Sequence, residues 1–378
     1  MENKTIVIIY NAAHHVLLFK SELIKSIKEN GNRVVVLASK DIYTEKLKEI
    51  VDDFCEIKVD SSGMNPINDV YLTFQIYNIC KKIKPVAILN FTIKPVIYGT
   101  FAARLLGNIP VINTITGLGT VFISKGFANK VARFLYKFTF KYSYLVFFQN
   151  PDDQFFFKEL KIVTKNNTKV ISGSGVDLVK FTPINKNKSK SIRILFIGRI
   201  IADKGIYELI ESAKIIKSQY SKVTFVLLGM IGVKNNTSIS QKEVDDWVNE
   251  GLIEFIPFKD DVRGELGRSD IVVLPSYREG TPRTLIEAAS MSKPLIATDV
   301  PGCREVVRHK VNGFLCKVKN PISLAGAIKK FIELDDLSKI KMGLKSRELA
   351  EEKFDVIKVN NCYINEIKSI LLKSKYEN

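Results

Sequence analysis

Short and nearly uninterrupted apolar runs recur along the chain, with amphipathic or polar stretches between them. They lie at residues 5–10, 33–38, 55–60, 86–91, 110–115, 144–150 and 168–173, and then at 192–198, 223–229, 253–258, 270–275, 294–299 and 313–318. Runs of this length that lack alternation are typical of parallel strands buried on both faces. The pattern therefore predicts an α/β protein whose parallel sheets are covered by helices.

A polar stretch rich in Lys, Asn and Ser at 181–191 interrupts the series and has the composition of a linker. We therefore predict two Rossmann-like domains, at 1–180 and 192–354, that face each other across a cleft. The length of 378 residues is sufficient for both. The last segment, 355–378, is amphipathic, and we expect a helix there that crosses back to the first domain.

The charge balance points to an anionic partner. The chain has 57 Lys and Arg against 40 Asp and Glu, a net charge of +17. Nucleic acid, an anionic membrane surface and phosphorylated metabolites all fit this charge, but no nucleic-acid recognition motif is present. We therefore expect no nucleic-acid partner.

The cysteines and the apolar runs indicate the compartment. Five cysteines lie far apart with no C-x-x-C pair, at positions 55, 80, 303, 316 and 362. This favours free thiols in a reducing compartment. The first residues lack the basic region and long apolar segment of a signal peptide, and no run reaches the ~18 apolar residues of a membrane span. We expect a cytoplasmic protein associated peripherally with the inner face of the cell membrane.

The stretch PSYREGTPRTLIEAAS, at 275–290, places Glu279 and Glu287 on either side of a Gly-Thr-Pro turn. It predicts a buried strand, a loop, and a helix with Thr281 as its N-cap and Pro282 as its first residue. The helix would bury one face, formed by Leu285, Ile286, Ala288 and Ala289.

The start of that predicted helix suits an anion. Backbone N–H groups of Arg283 and Thr284 at a helix N-terminus bind anions well. Two carboxylates beside an anion site fit a ligand that also carries hydroxyls, such as a sugar nucleotide. The alternative is a pair of surface acids on a strand-turn-helix.

Two further loops follow strands of the second half. In FIGRIIADKG, at 196–205, Arg199 and Lys204 lie between Gly198 and Gly205. A guanidinium and an ammonium in a glycine-framed loop suit adjoining phosphates, although solvated loop cations are the alternative. The second loop contains Phe258 and leaves a middle strand. Because ligands bind at the carboxyl ends of parallel strands, we expect all three loops to meet at one edge of the sheet.

These stretches together resemble the family 4 retaining glycosyltransferases of the GT-B fold. GRIIADKG is followed about eighty positions later by a Glu-x7-Glu motif, Glu279 to Glu287. GSGVDLVKF, at 173–181, and TDVPGCREVV with NGFL, within 298–315, also resemble the family. The likeness covers about 170–355. The likeness is weaker in the first half of the chain. There, TITGLGTVF and NAAHHVLLFK resemble members of the family that extend lipid-linked oligosaccharides in bacteria.

The resemblance implies a role for each matched position. Arg199 and Lys204 would bind the donor diphosphate, with Gly198 and Phe258 near the nucleotide. Glu287 would bind the ribose hydroxyls and Glu279 the transferred sugar. Backbone amides after Thr281, in the segment from Gly280 to Thr284, would meet the distal phosphate. The leaving diphosphate would take the acceptor's proton. No Asp-x-Asp is present, so we expect a metal-independent enzyme without a cofactor.

The resemblance also implies a function and an acceptor. It indicates retaining transfer of a UDP-linked hexose or N-acetylhexosamine to an undecaprenyl-diphosphate-linked saccharide, in the synthesis of lipopolysaccharide O-antigen, capsule or another glycan. Two alternatives remain: a glycosyltransferase with a soluble acceptor, and a non-catalytic protein that binds nucleotide sugars. An NAD-dependent dehydrogenase is disfavoured because no clean G-x-G-x-x-G follows the first strand.

The acceptor side departs from the family pattern. Many relatives carry a His near position 116, where this chain has Thr116 and Gly117, and the usual glycine pair after the first strand is replaced by Asn-Ala-Ala before His14 and His15. Either histidine assists the acceptor hydroxyl, or both simply begin a helix.

The segment 125–148 mixes Lys and Arg with aromatic residues. Its cations lie at 125, 130, 133, 137 and 141. A cationic amphipathic helix with aromatic anchors binds anionic membrane interfaces. An ordinary core helix followed by a strand is the alternative.

Overall fold

The computed structural model describes residues 4–60, 65–118, 127–163, 166–184, 191–233 and 237–376. The chain forms two compact units, the first made of Met1–Ser174 with Val356–Asn378 and the second of Gly175–Asp355. Each unit has one parallel β-sheet with helices packed on it. The predicted α/β fold with two Rossmann-like units is confirmed.

The first unit contains a seven-stranded sheet. Its strands are β1 (Thr5–Ala12), β2 (Arg33–Ser39), β3 (Asp53–Glu56), β4 (Ala87–Phe91), β5 (Val111–Ile115), β6 (Leu145–Phe148) and β7 (Thr168–Val170). They lie in the order β3-β2-β1-β4-β5-β6-β7. The helices between them are α1 (Ala13–Glu29), α2 (Thr44–Lys48), α3 (Pro66–Ile83), α4 (Thr100–Leu105), α5 (Phe127–Tyr142) and α6 (Pro151–Glu159), with a π-helical turn (Pro95–Gly99) before α4.

The second unit contains a six-stranded sheet. Its strands are β8 (Ile192–Ile197), β9 (Val223–Gly229), β10 (Glu254–Pro257), β11 (Ile271–Leu274), β12 (Leu295–Thr298) and β13 (Gly313–Cys316), in the order β10-β9-β8-β11-β12-β13. Its helices are α7 (Ile206–Lys217), α8 (Gln241–Asn249), α9 (Arg263–Arg268), α10 (Arg283–Ser290), α11 (Cys303–Val306), α12 (Pro321–Ile332) and α13 (Asp336–Lys353). A 3-10 turn (Ala202–Lys204) precedes α7.

The last helix, α14 (Val356–Tyr376), packs on α1 of the first unit. Its residues Tyr363 and Ile367 are buried in the same core as Ile6 and Ile8 of β1. The opposite face of β1, with Val7 and Ile9, packs against α3 and α4. The first sheet is therefore covered on both sides, which explains its continuous apolar strands.

The strands follow the apolar runs of the sequence with two corrections. The strand predicted at 55–60 is β3 (Asp53–Glu56), whose pairing with β2 ends where Glu56 lies opposite Ala38. The strand before Phe258 is β10, which lies at the edge of its sheet and not in the middle. All the other predicted runs contain a strand.

The division between the units lies before the predicted linker at 181–191. Val176 and Phe181 are already buried in the core of the second unit. Residues 185–190 of that linker lie outside the described residues. The second unit therefore begins at Gly175, seventeen positions before its first strand.

Candidate active site

The second unit has its topological switch point between β8 and β11. The chain runs from β8 through β9 to β10 on one side, and from β11 through β12 to β13 on the other. Crossover helices leave such neighbouring strands in opposite directions, so a crevice opens beyond their carboxyl ends. The loops that follow these two strands are 198–205 and 275–282, and they contain most of the predicted donor residues.

Glycine 205 brings these two loops into contact. Gly205 has φ +73° and is the N-cap of α7, and a Cβ built there would lie 2.1 Å from the carbonyl oxygen of Pro275. The backbone N–H of Tyr277 donates to the carbonyl oxygen of Asp203 at 2.9 Å. Only glycine tolerates both the left-handed backbone and this close approach. Of the three loops that were expected to meet, these two are in contact.

Lys204 and Glu279 form an ion pair across the switch point. Their side chains are 20% and 12% exposed, so water is largely excluded from the pair. A charge pair in such a site interacts more strongly than on the open surface. The structure thus brings together two residues that are 75 positions apart in the sequence.

Glu287 pairs with Arg283 within α10. The Nε of Arg283 donates to Oε1 of Glu287 at 2.7 Å, one helical turn away, and Glu287 is 8% exposed. A planar guanidinium holds the carboxylate in a defined orientation. The inward positions Leu285, Ile286 and Ala288 are fully buried, as predicted.

The start of α10 differs from the prediction. Pro282 is the N-cap and Arg283 the first helical residue, whereas the sequence suggested Thr281 and Pro282. The reason is that Pro282 has an extended ψ of 115°, which places it outside the helix. The N-cap position of α10 therefore belongs to Pro282 and not to Thr281.

Gly302 supports the loop that carries Glu279. It has φ +80°, and a Cβ there would lie 2.0 Å from the carbonyl oxygen of Gly280 and 2.7 Å from that of Glu279. Two side-chain hydrogen bonds add to this support: Thr298 donates to the carbonyl of Ser276, and Thr284 donates to the carbonyl of Ile197 at 3.3 Å. The Pro-Gly dipeptide at 301–302 was the available signal for this role.

Two predicted donor residues are not part of the ion-paired group. Arg199 is exposed and, among the described residues, has no carboxylate within ion-pair distance. Phe258 follows the edge strand β10, which β9 separates from β8, and it is 47% exposed. Gly198 lies beside β9, with its carbonyl oxygen 1.7 Å from a Cβ built on Gly229.

Two neighbouring side chains are chemically inert near neutral pH. Burial, with a further contribution from Glu279, raises the pKa of the Cys303 thiol. Burial and the hydrogen bond to Glu208 raise the pKa of Tyr277. Neither group is charged at neutral pH, so neither adds a charge to this switch point.

The first unit has its switch point between β1 and β4. After β1, both the backbone N–H and Nδ1 of His14 contact Oδ2 of Asp41 at 2.8 Å. Thr92, which follows β4 with φ +67°, donates through Oγ1 to Asn11 at 2.7 Å. A positive φ strains the backbone of a β-branched residue, and such strained residues are concentrated at functional sites.

The other predicted acceptor residues are placed differently. His15 follows His14 at the start of α1, with ring centroids 3.8 Å apart. Thr116 and Gly117 follow β5, which β4 separates from β1. The sequence reading missed Asp41 and Thr92, because their partners lie 27 and 81 positions away.

Two further properties concern the described residues alone. In that part of the chain, no three His, Cys, Asp or Glu side chains are grouped as metal ligands would be. None of its helices combines the length and the apolar character needed to span a bilayer.

Comparison with known proteins agrees with this geometry. Residues 180–347 match the family model described as "Glycosyl transferases group 1", and residues 7–150 match "Glycosyl transferase 4-like". The chain is 30% identical to an N,N'-diacetylbacillosaminyl-diphospho-undecaprenol alpha-1,3-N-acetylgalactosaminyltransferase of Campylobacter jejuni, over 84% of this chain and 87% of the relative. The chain belongs to the family 4 glycosyltransferases of the GT-B fold.

A second relative and two solved structures are also similar to this chain. The chain is 28% identical to a UDP-Gal:alpha-D-GlcNAc-diphosphoundecaprenol alpha-1,3-galactosyltransferase of Escherichia coli, over 69% of this chain and 70% of the relative. Among solved structures, a glycosyltransferase from Rickettsia africae matches with a TM-score of 0.79 and 20% identity, covering 98% of this chain and 99% of that one. Anabaena Alr3699/HepE, solved with UDP, matches with a TM-score of 0.77 and 19% identity, covering 97% and 100%. These structures are similar in fold.

Proposed function

We propose that this glycosyltransferase moves a hexose or N-acetylhexosamine from a UDP-sugar to a saccharide linked to undecaprenyl diphosphate, with retention of configuration. The two bacterial relatives named above act on diphospho-undecaprenol-linked saccharides, and one of them uses UDP-Gal. The product would enter an O-antigen, a capsule or another surface or protein-linked glycan.

The observation that carries this proposal is the group of two cation–carboxylate pairs at the β8/β11 switch point. Each glutamate is more than four-fifths buried and already bonded to a cation, Lys204 with Glu279 and Arg283 with Glu287. Such a group has both charges that a sugar nucleotide needs. Cations bind the diphosphate, and oriented carboxylates accept hydrogen bonds from sugar hydroxyls.

In the proposed complex, the diphosphate bonds to Lys204 and to the exposed Arg199, which lies at the same end of β8. Glu279 then accepts from hydroxyls of the transferred sugar, and Glu287 from those of the ribose. The first turn of α10 supplies backbone N–H groups to the distal phosphate. When the donor binds in this way, some hydrogen bonds within the two ion pairs are replaced by charge-assisted hydrogen bonds to the donor.

The proposed reaction breaks the bond between the anomeric carbon and the distal phosphate oxygen. The acceptor hydroxyl attacks from the same face, and its proton passes to that phosphate oxygen, so UDP leaves with the proton. Charge grows on the diphosphate as the bond breaks. Lys204 and Arg199 would stabilise this charge more strongly in the transition state than in the ground state, which is what accelerates a reaction.

We further propose that turnover needs no divalent metal, because fixed cations at the switch point take the place of a metal on the diphosphate. Activity should persist in EDTA. Loss of activity on chelation that Mn²⁺ or Mg²⁺ restores would contradict this.

The lipid-linked acceptor places the proposed reaction at the inner membrane face. The exposed side of α5 supports this, because Lys130, Phe134, Lys137 and Lys141 follow one another at helical spacing. Its other side is core, with Tyr136 and Phe140 at 1% exposure. The rest of the predicted segment 125–148 divides into β6, which is buried, and residues 125–126, which lie outside the described residues.

The deciding experiment screens nucleotide sugars against a short synthetic polyprenyl-diphosphate sugar. We expect transfer from a UDP-sugar with the anomeric configuration retained, as read by the NMR coupling constant of the product. A product of inverted configuration, or transfer only to soluble sugars, would contradict the proposal. Binding of UDP-sugar without transfer to any acceptor would indicate a non-catalytic protein.

A further inference from the structure

An exposed apolar stripe runs along the first two turns of α3 and has no part in the site described above. Ile67, Val70, Tyr71 and Phe74 are 77%, 56%, 54% and 54% exposed. Their spacing of three and four residues places them on one face of the helix. Large apolar side chains grouped in this way, rather than scattered singly, mark a surface that binds something.

The stripe lies on the same side of the sheet as the cationic face of α5. Asp69 of α3 accepts a hydrogen bond from Tyr98 of the π-helical turn at 2.7 Å. Phe101 of α4 stacks on Phe138 of α5, with ring centroids 4.6 Å apart. Helix α4 thus lies between α3 and α5, and it adds Leu105, which is 62% exposed.

This part of the chain is unusually basic. Residues 70–151 contain ten Lys and Arg and no Asp or Glu. Asp69, on α3 itself, is 9% exposed and forms an ion pair with Lys94 at 2.7 Å. Beside Tyr71, the exposed Asp60 lines a pocket together with Lys58. Helices α3, α4 and α5 themselves present exposed Lys and Arg and, among their described side chains, no exposed carboxylate.

We propose that α3, α4 and α5 together form a docking face for an anionic phospholipid surface, with the α3 stripe entering the interface and the α5 cations contacting headgroups. Apolar insertion and electrostatic attraction act together in interfacial binding. A protein partner for the stripe would need acidic side chains of its own opposite the exposed cations of α5. This inference deepens the proposed function and rests on it for its purpose, because it names the surface that brings the enzyme to a lipid-linked acceptor.

The main test replaces the apolar residues of the stripe and compares vesicle binding with that of a matched control variant. The variant Ile67→Gln/Val70→Gln/Phe74→Gln should lower partitioning onto phosphatidylcholine vesicles containing phosphatidylglycerol by about tenfold or more. The control is Leu337→Gln/Ile340→Gln/Leu344→Gln on α13, which has the same spacing and exposures of 60%, 60% and 52%. It should leave partitioning unchanged, because α13 also carries Asp and Glu. Co-sedimentation measures both.

A second variant tests the charges. Lys130→Gln/Arg133→Gln/Lys137→Gln should reduce binding to the anionic vesicles by about 100-fold at low salt, since each cation near the surface contributes about 1 kcal/mol. Binding of the native chain should weaken as salt is raised. Equal binding to vesicles with and without phosphatidylglycerol would overturn the proposal.

A fluorescent probe tests the placement of α3 without replacing its apolar side chains by polar ones. Phe74→Trp in a Trp247→Phe background has one tryptophan, because the chain has a single Trp. Its emission should shift to shorter wavelength on the anionic vesicles and be quenched by brominated lipid. Emission unchanged by vesicles would overturn the placement of α3 in the interface.

Two further outcomes separate the explanations. If the α3 variant turns a dimer into a monomer and leaves vesicle binding intact, the stripe is an interface between copies and the proposal fails. UDP-sugar binding, measured by calorimetry on the same proteins, should be unaffected by all these variants. If the native chain binds vesicles as described but binds no UDP-sugar, the proposed function fails while the docking face stands.

Discussion

The two units have the same kind of switch point but fill it with different chemistry. In the second unit, β8 and β11 carry two cation–carboxylate pairs, Lys204 with Glu279 and Arg283 with Glu287. In the first unit, β1 and β4 carry a His14–Asp41 contact and an Asn11–Thr92 hydrogen bond. The second switch point combines cations with carboxylates, whereas the described contacts of the first combine one carboxylate, Asp41, with imidazole, amide and hydroxyl groups and include no Lys or Arg.

The difference fits the two substrates of the proposed reaction. A nucleotide diphosphate is bound through fixed charges, which also stabilise the leaving group. An acceptor sugar presents hydroxyls, which are read by imidazole, amide and hydroxyl side chains. The same fold therefore supports both halves of a transfer reaction, because the loops at the strand ends, and not the sheet, determine the chemistry.

The largest effect should come from the charge at the donor end. Lys204→Ala should lower kcat/KM by more than about 100-fold, because one preorganised charge at a transition state contributes about 3 kcal/mol. The control Lys345→Ala removes an exposed ion pair with Glu348 on α13 and should leave kcat/KM unchanged. Near-normal turnover of Arg199→Ala/Lys204→Ala would show that the two cations do not act on the diphosphate.

The strand pattern and the fold could be predicted from the sequence because each strand is a local apolar run. Part of the group at the β8/β11 switch point could also be located from the sequence, because Lys204 lies in the loop after one strand and Glu279 and Glu287 lie within nine residues after another. That this group binds the donor stays a prediction. The acceptor end could not, because it is assembled from separate segments. Asn11 meets Thr92 across 81 positions, and nothing in either segment indicates the other.

The next effect tests whether loop packing maintains the donor site. Gly302→Ala should lower the free energy of unfolding by about 1–3 kcal/mol, as overpacking does, and should weaken UDP-sugar binding, since the added Cβ would displace the Glu279–Gly280 backbone. Gly251→Ala is the matched control. It has a similar φ of +68° but no atom within 4 Å of the added Cβ. Equal losses in both variants would mean that backbone strain alone, and not contact with the Glu279 loop, explains the result.

A smaller effect should follow from the second glutamate. Glu287→Gln keeps the shape of the side chain and removes its charge, so UDP-sugar affinity should fall by about tenfold, the value of one charge-assisted hydrogen bond. Glu351→Gln is the control, because Arg347 donates from Nε to Glu351 at 2.6 Å with the same i,i+4 spacing, on α13. Calorimetry with UDP measures both. Unchanged affinity in Glu287→Gln would leave this carboxylate as a structural partner of Arg283.

The smallest effect should come from Asp41, and it tests the His14–Asp41 contact at the switch point of the first unit. Burial raises the pKa of Asp41, but hydrogen bonds from the backbone and ring of His14 and from the Tyr43 N–H outweigh it, so the pKa is lowered overall. A carboxyl with a lowered pKa in the folded state stabilises the protein above its unfolded pKa of about 3.9, and this contribution is lost as the pH falls through the folded value. Asp41→Asn should therefore destabilise the first unit at neutral pH and have a smaller effect in strong acid, as measured by urea unfolding. Its effect should not add to that of His14→Gln, because the two residues share one contact. Additive losses, or equal losses at both pH values, would show that the two residues do not act as a pair. The contrast between the two switch points would then rest on Asn11 and Thr92 alone.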